Sequence, residues 1–143
     1  MAASSEPIAP STSISVGLLI AALLDADAAV SAIATKVYPV VAEENATLPY
    51  VCYRRAEFDR TLNKPGGADA VSVECLCYAK SYGESIRLAE AVRACLDHKQ
   101  ATYSENGTAI LVARSMDLIG AEEGWADDAY AQSLVFLVRI NNV

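Results

Sequence analysis

The chain has 143 residues, 53% hydrophobic and 20% charged, with a formal net charge of −7. That length suits one domain, and that balance excludes a disordered chain. An acidic chain gains no counterion release from phosphate backbones, which argues against dedicated nucleic-acid binding.

Residues 1–13 are rich in Ala, Ser and Pro, including Pro7 and Pro10, and read as a flexible arm ahead of one domain over residues 14–143. A first helix is predicted from Ile14 to Leu24, capped by Ser13 or Ser15. Its apolar residues cover nearly the whole circumference, which predicts that much of it is buried. The run Val16 to Leu24 is too short to span a bilayer, and no basic segment precedes it. A cytoplasmic origin without membrane contact follows as the default. Asp25-Ala26-Asp27 interrupts the helix, and Ala28 to Ala34 fits one further short turn. Val37 to Val41 contains Pro39 and reads as a short edge strand. Glu43 to Thr47 is a polar connector.

Leu48 to Leu96 organises the chain: strand, glycine-containing loop, strand, capped helix. Pro49 suits a strand start because its φ is fixed and it lacks an N–H. The run Tyr50-Val51-Cys52-Tyr53 favours an extended backbone. The segment from Arg60 to Asp69, with Asn63-Lys64-Pro65-Gly66-Gly67, breaks the pattern. From Ala70 to Ala79 the chain alternates, with Val71, Val73, Cys75, Cys77 and Ala79 on one face. Ser81 and Glu84 form an S-x-x-E capping box. Leu88, Ala89, Val92, Cys95 and Leu96 then make an apolar stripe at helical spacing.

Ser104-Glu105-Asn106-Gly107 is a turn signal. Ala109 to Ile119 is strand-like, with Ile110, Val112 and Met116 opposite Leu111 and Ala113. Gly120 to Asp128 reads as a polar loop holding Trp125, the only tryptophan. Tyr130 to Asn141 is the last strand, with Leu134, Phe136, Val138 and Ile140 on one face. Its mixed second face implies partial cover by a helix or a neighbouring subunit. The expected class is α+β: a single antiparallel sheet with two main helices packed on one face.

Chemistry-bearing motifs are sparse. Cys52, Cys75, Cys77 and Cys95 form no C-x-x-C pair, and His98 is the only histidine, so no zinc pattern is matched. The cysteines read as small buried hydrophobes in a reducing compartment. Gly66-Gly67 precedes a strand and so lacks the helix N-terminus that holds phosphate. Cys95 and His98 stand at i and i+3 and could form a thiolate–imidazole pair, but no third orienting group accompanies them. The acids Glu122-Glu123 and Asp127-Asp128 read as solvated loop residues. Arg54-Arg55 places its guanidiniums on opposite strand faces, not in a basic patch. No catalytic, cofactor-binding or metal residue is assigned.

The chain nevertheless carries a resemblance. The apolar first helix ends in Asp-Ala-Asp-Ala-Ala-Val, then come Lys36-Val37-Tyr38-Pro39 and Leu48-Pro49-Tyr50-Val51-Cys52-Tyr53. The Thr61-Leu62 to Gly66-Gly67 loop, the Val71-Ser72-Val73-Glu74-Cys75 strand and the Leu88 to Leu96 helix, preceded by Tyr82, follow in order. Together they resemble the tail-completion proteins of long-tailed phages, also called tail terminators or head–tail joining proteins. The resemblance covers Ile14 to Leu96 well and the terminal hairpin loosely. It implies a structural, non-enzymatic protein of the virion tail, assembled in the host cytoplasm. The implied partners are itself, in a hexameric ring, and the tail-tube and head-connector proteins. It brings no catalytic residue and no cofactor. The long hairpin loop is then the expected contact element, through Thr61, Leu62, Asn63, Lys64 and Pro65. Two other readings compete: a small ligand-binding or regulatory α+β domain, and a cysteine-dependent enzyme.

Overall fold

The computed structural model describes residues 13–60 and 69–141. A 3-10 turn, Ser13–Ser15, leads into helix α1, Val16–Ala26, and helix α2, Ala28–Ile33. Strand β1 is Lys36–Pro39, β2 is Tyr50–Arg60 and β3 is Asp69–Ala79. Helix α3, Tyr82–Leu96, precedes strands β4, Lys99–Glu105, β5, Thr108–Ala126, and β6, Ala129–Asn141.

Local chemistry explains the helix boundaries. Ser81 Oγ accepts a hydrogen bond from Glu84 N at 3.2 Å, which caps α3 where S-x-x-E predicted. Asp27 interrupts the first helix by becoming the cap of the next: its Oδ2 accepts from Val30 N at 3.0 Å. Ser15 stands at the start of α1 but makes no side-chain cap bond.

The described strands form one six-stranded sheet in the order β1-β2-β3-β6-β5-β4. The expected class needs correction here: the sheet is mixed and curled, not a single antiparallel one, and among the described residues three small α-helices stand in place of two main ones. The overturning observation is the parallel pair β1–β2, with Lys36 opposite Tyr50 and Pro39 opposite Tyr53. Parallel pairing needs a connection that returns the chain to its starting end. Residues 40–49 provide it, and β2 begins after a cis Leu48-Pro49 bond. The other pairs, β2–β3, β3–β6, β6–β5 and β5–β4, are antiparallel.

Two further strand assignments change. Gly120 to Asp128 is not a loop: β5 continues to Ala126, and only Asp127-Asp128, both at positive φ, make the turn. Met116 is buried on the same face as Leu111 and Ala113 rather than opposite them. The register shift between Ala113 and Ser115 supplies the extra residue that turns it inward. β4 lacks a strong apolar alternation, and only Ala101 and Tyr103 lean on the core.

The core joins Leu19, Ile20 and Leu24 of α1, Val30 of α2, and Leu88, Val92 and Leu96 of α3 to the inward faces of the strands. Val71, Val73, Cys75 and Cys77 of β3 lie against Leu134, Phe136, Val138 and Ile140 of β6 in that cluster. Among the described residues, no helix is long and apolar enough to cross a membrane.

Candidate functional site

The cysteine–histidine pairing dissolves in three dimensions. Helix α3 ends at Leu96, so His98 lies beyond it, at φ 62°. His98 Nδ1 lies 3.1 Å from Asp117 Oδ1, whereas Cys95 Sγ donates to the Leu23 carbonyl at 3.4 Å. Burial pushes the Cys95 thiol up to about 11, the opposite of an activated nucleophile. All four cysteines are buried free thiols, as their apolar surroundings require. Burial also raises Cys77 to about 12 and Cys75 well above its ordinary value.

Asp97, His98 and Asp117 bring donor atoms within 4.8 Å of one another. Asp97 already accepts from Leu118 N at 2.8 Å and from Arg93 Nε at 3.3 Å. The two ring nitrogens of His98 each face a different carboxylate, at 3.5 and 3.1 Å. The arrangement is that of hydrogen bonds and ion pairs rather than of converging ligands.

The contact residues expected from the sequence, Thr61, Leu62, Asn63, Lys64 and Pro65, lie outside the described residues, as does the arm up to Thr12. The strands holding the loop are described, and Arg60 pairs with Asp69 at its base.

The apolar surface is concentrated in two other places. The first is a groove of about 420 Å³ lined by Ile14, Gly17, Leu18, Val40, Tyr53 and Arg55, among others. Helix α1 buries Val16, Leu19, Ile20 and Leu24, in keeping with the expectation that much of it is buried, while Leu18 on its other side stays 47% exposed. Val40 is 66% exposed and sits at φ 64°, costly for a β-branched side chain. Val41 N donates to the Pro39 carbonyl at 2.6 Å, closing a γ-turn centred on Val40. Arg55 Nη1 donates to the Ile14 carbonyl at 3.1 Å, tying β2 to the start of α1. Arg54 also borders the groove and pairs with Glu74 on the neighbouring strand at 2.8 Å.

The second is the tip of the β5–β6 hairpin. Trp125 packs edge-on against Tyr130 with centroids 5.0 Å apart, and Tyr130 against Tyr82 at 5.8 Å. Trp125 is 60% and Tyr82 49% exposed. The Tyr82 hydroxyl donates to Glu123 at 2.9 Å, and that hydrogen bond raises its pKa. Gln132 Nε2 donates to both Ser85 Oγ and Glu123, pinning the tip to the start of α3. Glu122, Asp127 and Asp128 are exposed around it. Gly124 and the acids read as a loop, which leaves these aromatics without a site in the sequence pattern. The missed signal was Trp125 and Tyr130 flanking a two-residue Asp-Asp turn.

The opposite face of the sheet is partly apolar. Leu76, Val135 and Leu137 are half-buried there. Tyr38 packs edge-on against Tyr50, and Tyr50 packs tilted against Tyr78, with centroids 5.6 and 5.2 Å apart.

The family described as "Tail completion protein gp17" matches residues 19–132. Among solved structures, a chain of the "Virion of native gene transfer agent (GTA) particle" is similar at a TM-score of 0.67 and 18% identity. The alignment covers 85% of this chain and 90% of that one. At that identity the likeness speaks for the fold. No curated protein matches.

Proposed function

Because this chain belongs to the tail completion protein gp17 family, we propose that it forms a homo-oligomeric ring at the head-proximal end of a phage or prophage tail. The chain is a structural protein of the phage tail. The carrying observation is the family match, which runs from within α1 through α3 to the start of β6. The grouping of exposed apolar residues supports the ring: Ile14, Leu18 and Val40 lie together along the groove, and Trp125 stands at the hairpin tip. The work proposed is association and docking, not catalysis. Its partners are further copies of itself, six by the family resemblance, together with tail-tube and head-connector proteins. Assembly takes place in the host cytoplasm. The Thr61–Pro65 segment remains proposed as a contact with a neighbour or with the tube, carried on the domain over residues 14–143. The family match does not favour the ligand-binding alternative.

The test is genetic and biochemical. A phage or prophage lacking this gene should accumulate full heads and unjoined tails, and adding purified protein should restore joining. Normal particle yield without the gene would overturn the proposal.

A further inference from the structure

A closed ring built head to tail needs two different patches on each subunit, complementary to one another. We propose that the aromatic tip of the β5–β6 hairpin, centred on Trp125, seats in the α1–β2 groove of the neighbouring copy. The proposal rests on the ring reading and names its interface.

Each side has what the other lacks. The tip presents Trp125, Tyr82 and Tyr130, with Glu122, Asp127 and Asp128 exposed close by. The groove is lined by Ile14, Leu18 and Val40, with Arg55 exposed at its wall. An aromatic anchor in an apolar pocket, ringed by charge pairs of opposite sign, is the pattern of an interface hot spot. The cation also gives the indole a guanidinium to stack on.

The two patches are built on different strands, while Asp127 of the tip also borders a hollow with Val41, Glu43 and Tyr50. The groove lies along β2 and beside β1 at one edge, while the tip joins β5 to β6, beyond β3 in strand order. Such a contact is heterologous and leaves a free tip and a free groove on every dimer, which is what ring growth requires. Rigidity favours the same assignment. The Tyr82, Gln132 and Glu123 hydrogen bonds hold the tip, and the Arg55–Ile14 bond and the γ-turn at Val40 hold the groove. Little ordering cost is then left for binding. A second copy is preferred to a different protein because both complementary halves are present on this one chain.

Trp125 is the only tryptophan, so its fluorescence reports this site alone. Rings and monomers are separated by size, and emission and acrylamide quenching are measured on each. The expected result is a blue-shifted, quencher-protected tryptophan in rings and an exposed one in monomers. Trp125→Ala should raise the concentration for half-assembly about 30-fold or more without changing monomer unfolding. Arg55→Glu should also raise that concentration, and so should Asp127→Arg with Asp128→Arg, each with some loss of monomer stability from the lost Arg55–Ile14 bond or from Arg at the positive-φ turn. A chain carrying all three changes should regain assembly. Rings whose Trp125 stays accessible, or charge reversals that leave assembly unchanged, overturn this interface and leave the ring reading intact. Failure of the triple variant to recover overturns the charge pairing and with it the proposal. Protein that stays monomeric at every concentration, even with tail tubes, overturns the ring reading itself. Protection of Trp125 only when tube protein is added assigns the tip to another partner, and that too overturns it.

Discussion

Asp97 Oδ1 accepts a hydrogen bond from the Leu118 amide at 2.8 Å, which ties the end of α3 to the middle of β5. Arg93 approaches the other oxygen at 3.3 Å. The Leu118 amide is the chief cause that holds the Asp97 carboxyl below its ordinary value; Arg93 and His98 add to it, and burial opposes. A carboxyl with a depressed folded-state pKa stabilises the fold fully above its unfolded value, about 3.9, and loses that effect as pH falls through the folded value. Asp97→Asn should therefore lower the Tm at pH 7, and the gap to wild type should close at an acid pH below the folded-state value. Thermal unfolding at both pH values checks this. A gap that persists in acid would mean that shape, not charge, carries the bond.

The thiols give the opposite sign. Burial holds Cys75, Cys77 and Cys95 above their ordinary values, Cys77 at about 12 and Cys95 at about 11. A raised folded-state pKa favours the neutral form in the fold. Stability is then complete below the unfolded thiol value, about 8.5, and drains away as pH rises toward the folded values. Denaturant midpoints should fall between pH 9 and pH 11, and less steeply in a Cys75→Ala, Cys77→Ala double variant. Under native conditions at pH 8 a thiol reagent should react slowly, and denaturation should release four thiols, the number in the chain. Rapid native reaction would contradict the burial.

Ser81→Ala removes the side chain that accepts from Glu84 N. The expected cost is about 1 kcal/mol in chemical denaturation. An exposed serine such as Ser104, changed in the same way, serves as the reference. Equal effects would show that the cap contributes nothing.

The legibility of this fold follows from where periodicity is clean. The alternation of Val71, Val73, Cys75 and Cys77, and that of Leu134 through Ile140, can be read directly, because each strand buries one face. The S-x-x-E cap and the stripe on α3 are equally local. The parallel β1–β2 pair is invisible in sequence, because pairing direction depends on where the 40–49 segment carries the chain, not on β1 itself. Met116 was misplaced because a bulge shifts the side-chain period by one residue without leaving a glycine as its mark. In sequence, Trp125 reads as part of a loop because acids and glycine outvote two aromatics in any short window. Its packing partner Tyr130 also meets Tyr82, which is distant in sequence and comes close through α3.

The segment between Arg60 and Asp69 offers a test on the domain itself. Those two residues pair, so a two-residue Asn-Gly turn can replace residues 61–68 without changing the register of β2 and β3. The shortened protein is expected to fold with an unchanged circular dichroism spectrum and to fail in ring formation or tail joining. A shortened protein that still yields infectious particles would remove Thr61, Leu62, Asn63, Lys64 and Pro65 from the contact.

Electron microscopy of the purified protein, alone and mixed with isolated tail tubes, tests the central claim most directly. The expected images show closed rings of one diameter, and tubes capped by such a ring at one end only. Tubes left bare at both ends, with the protein remaining monomeric beside them, would contradict it.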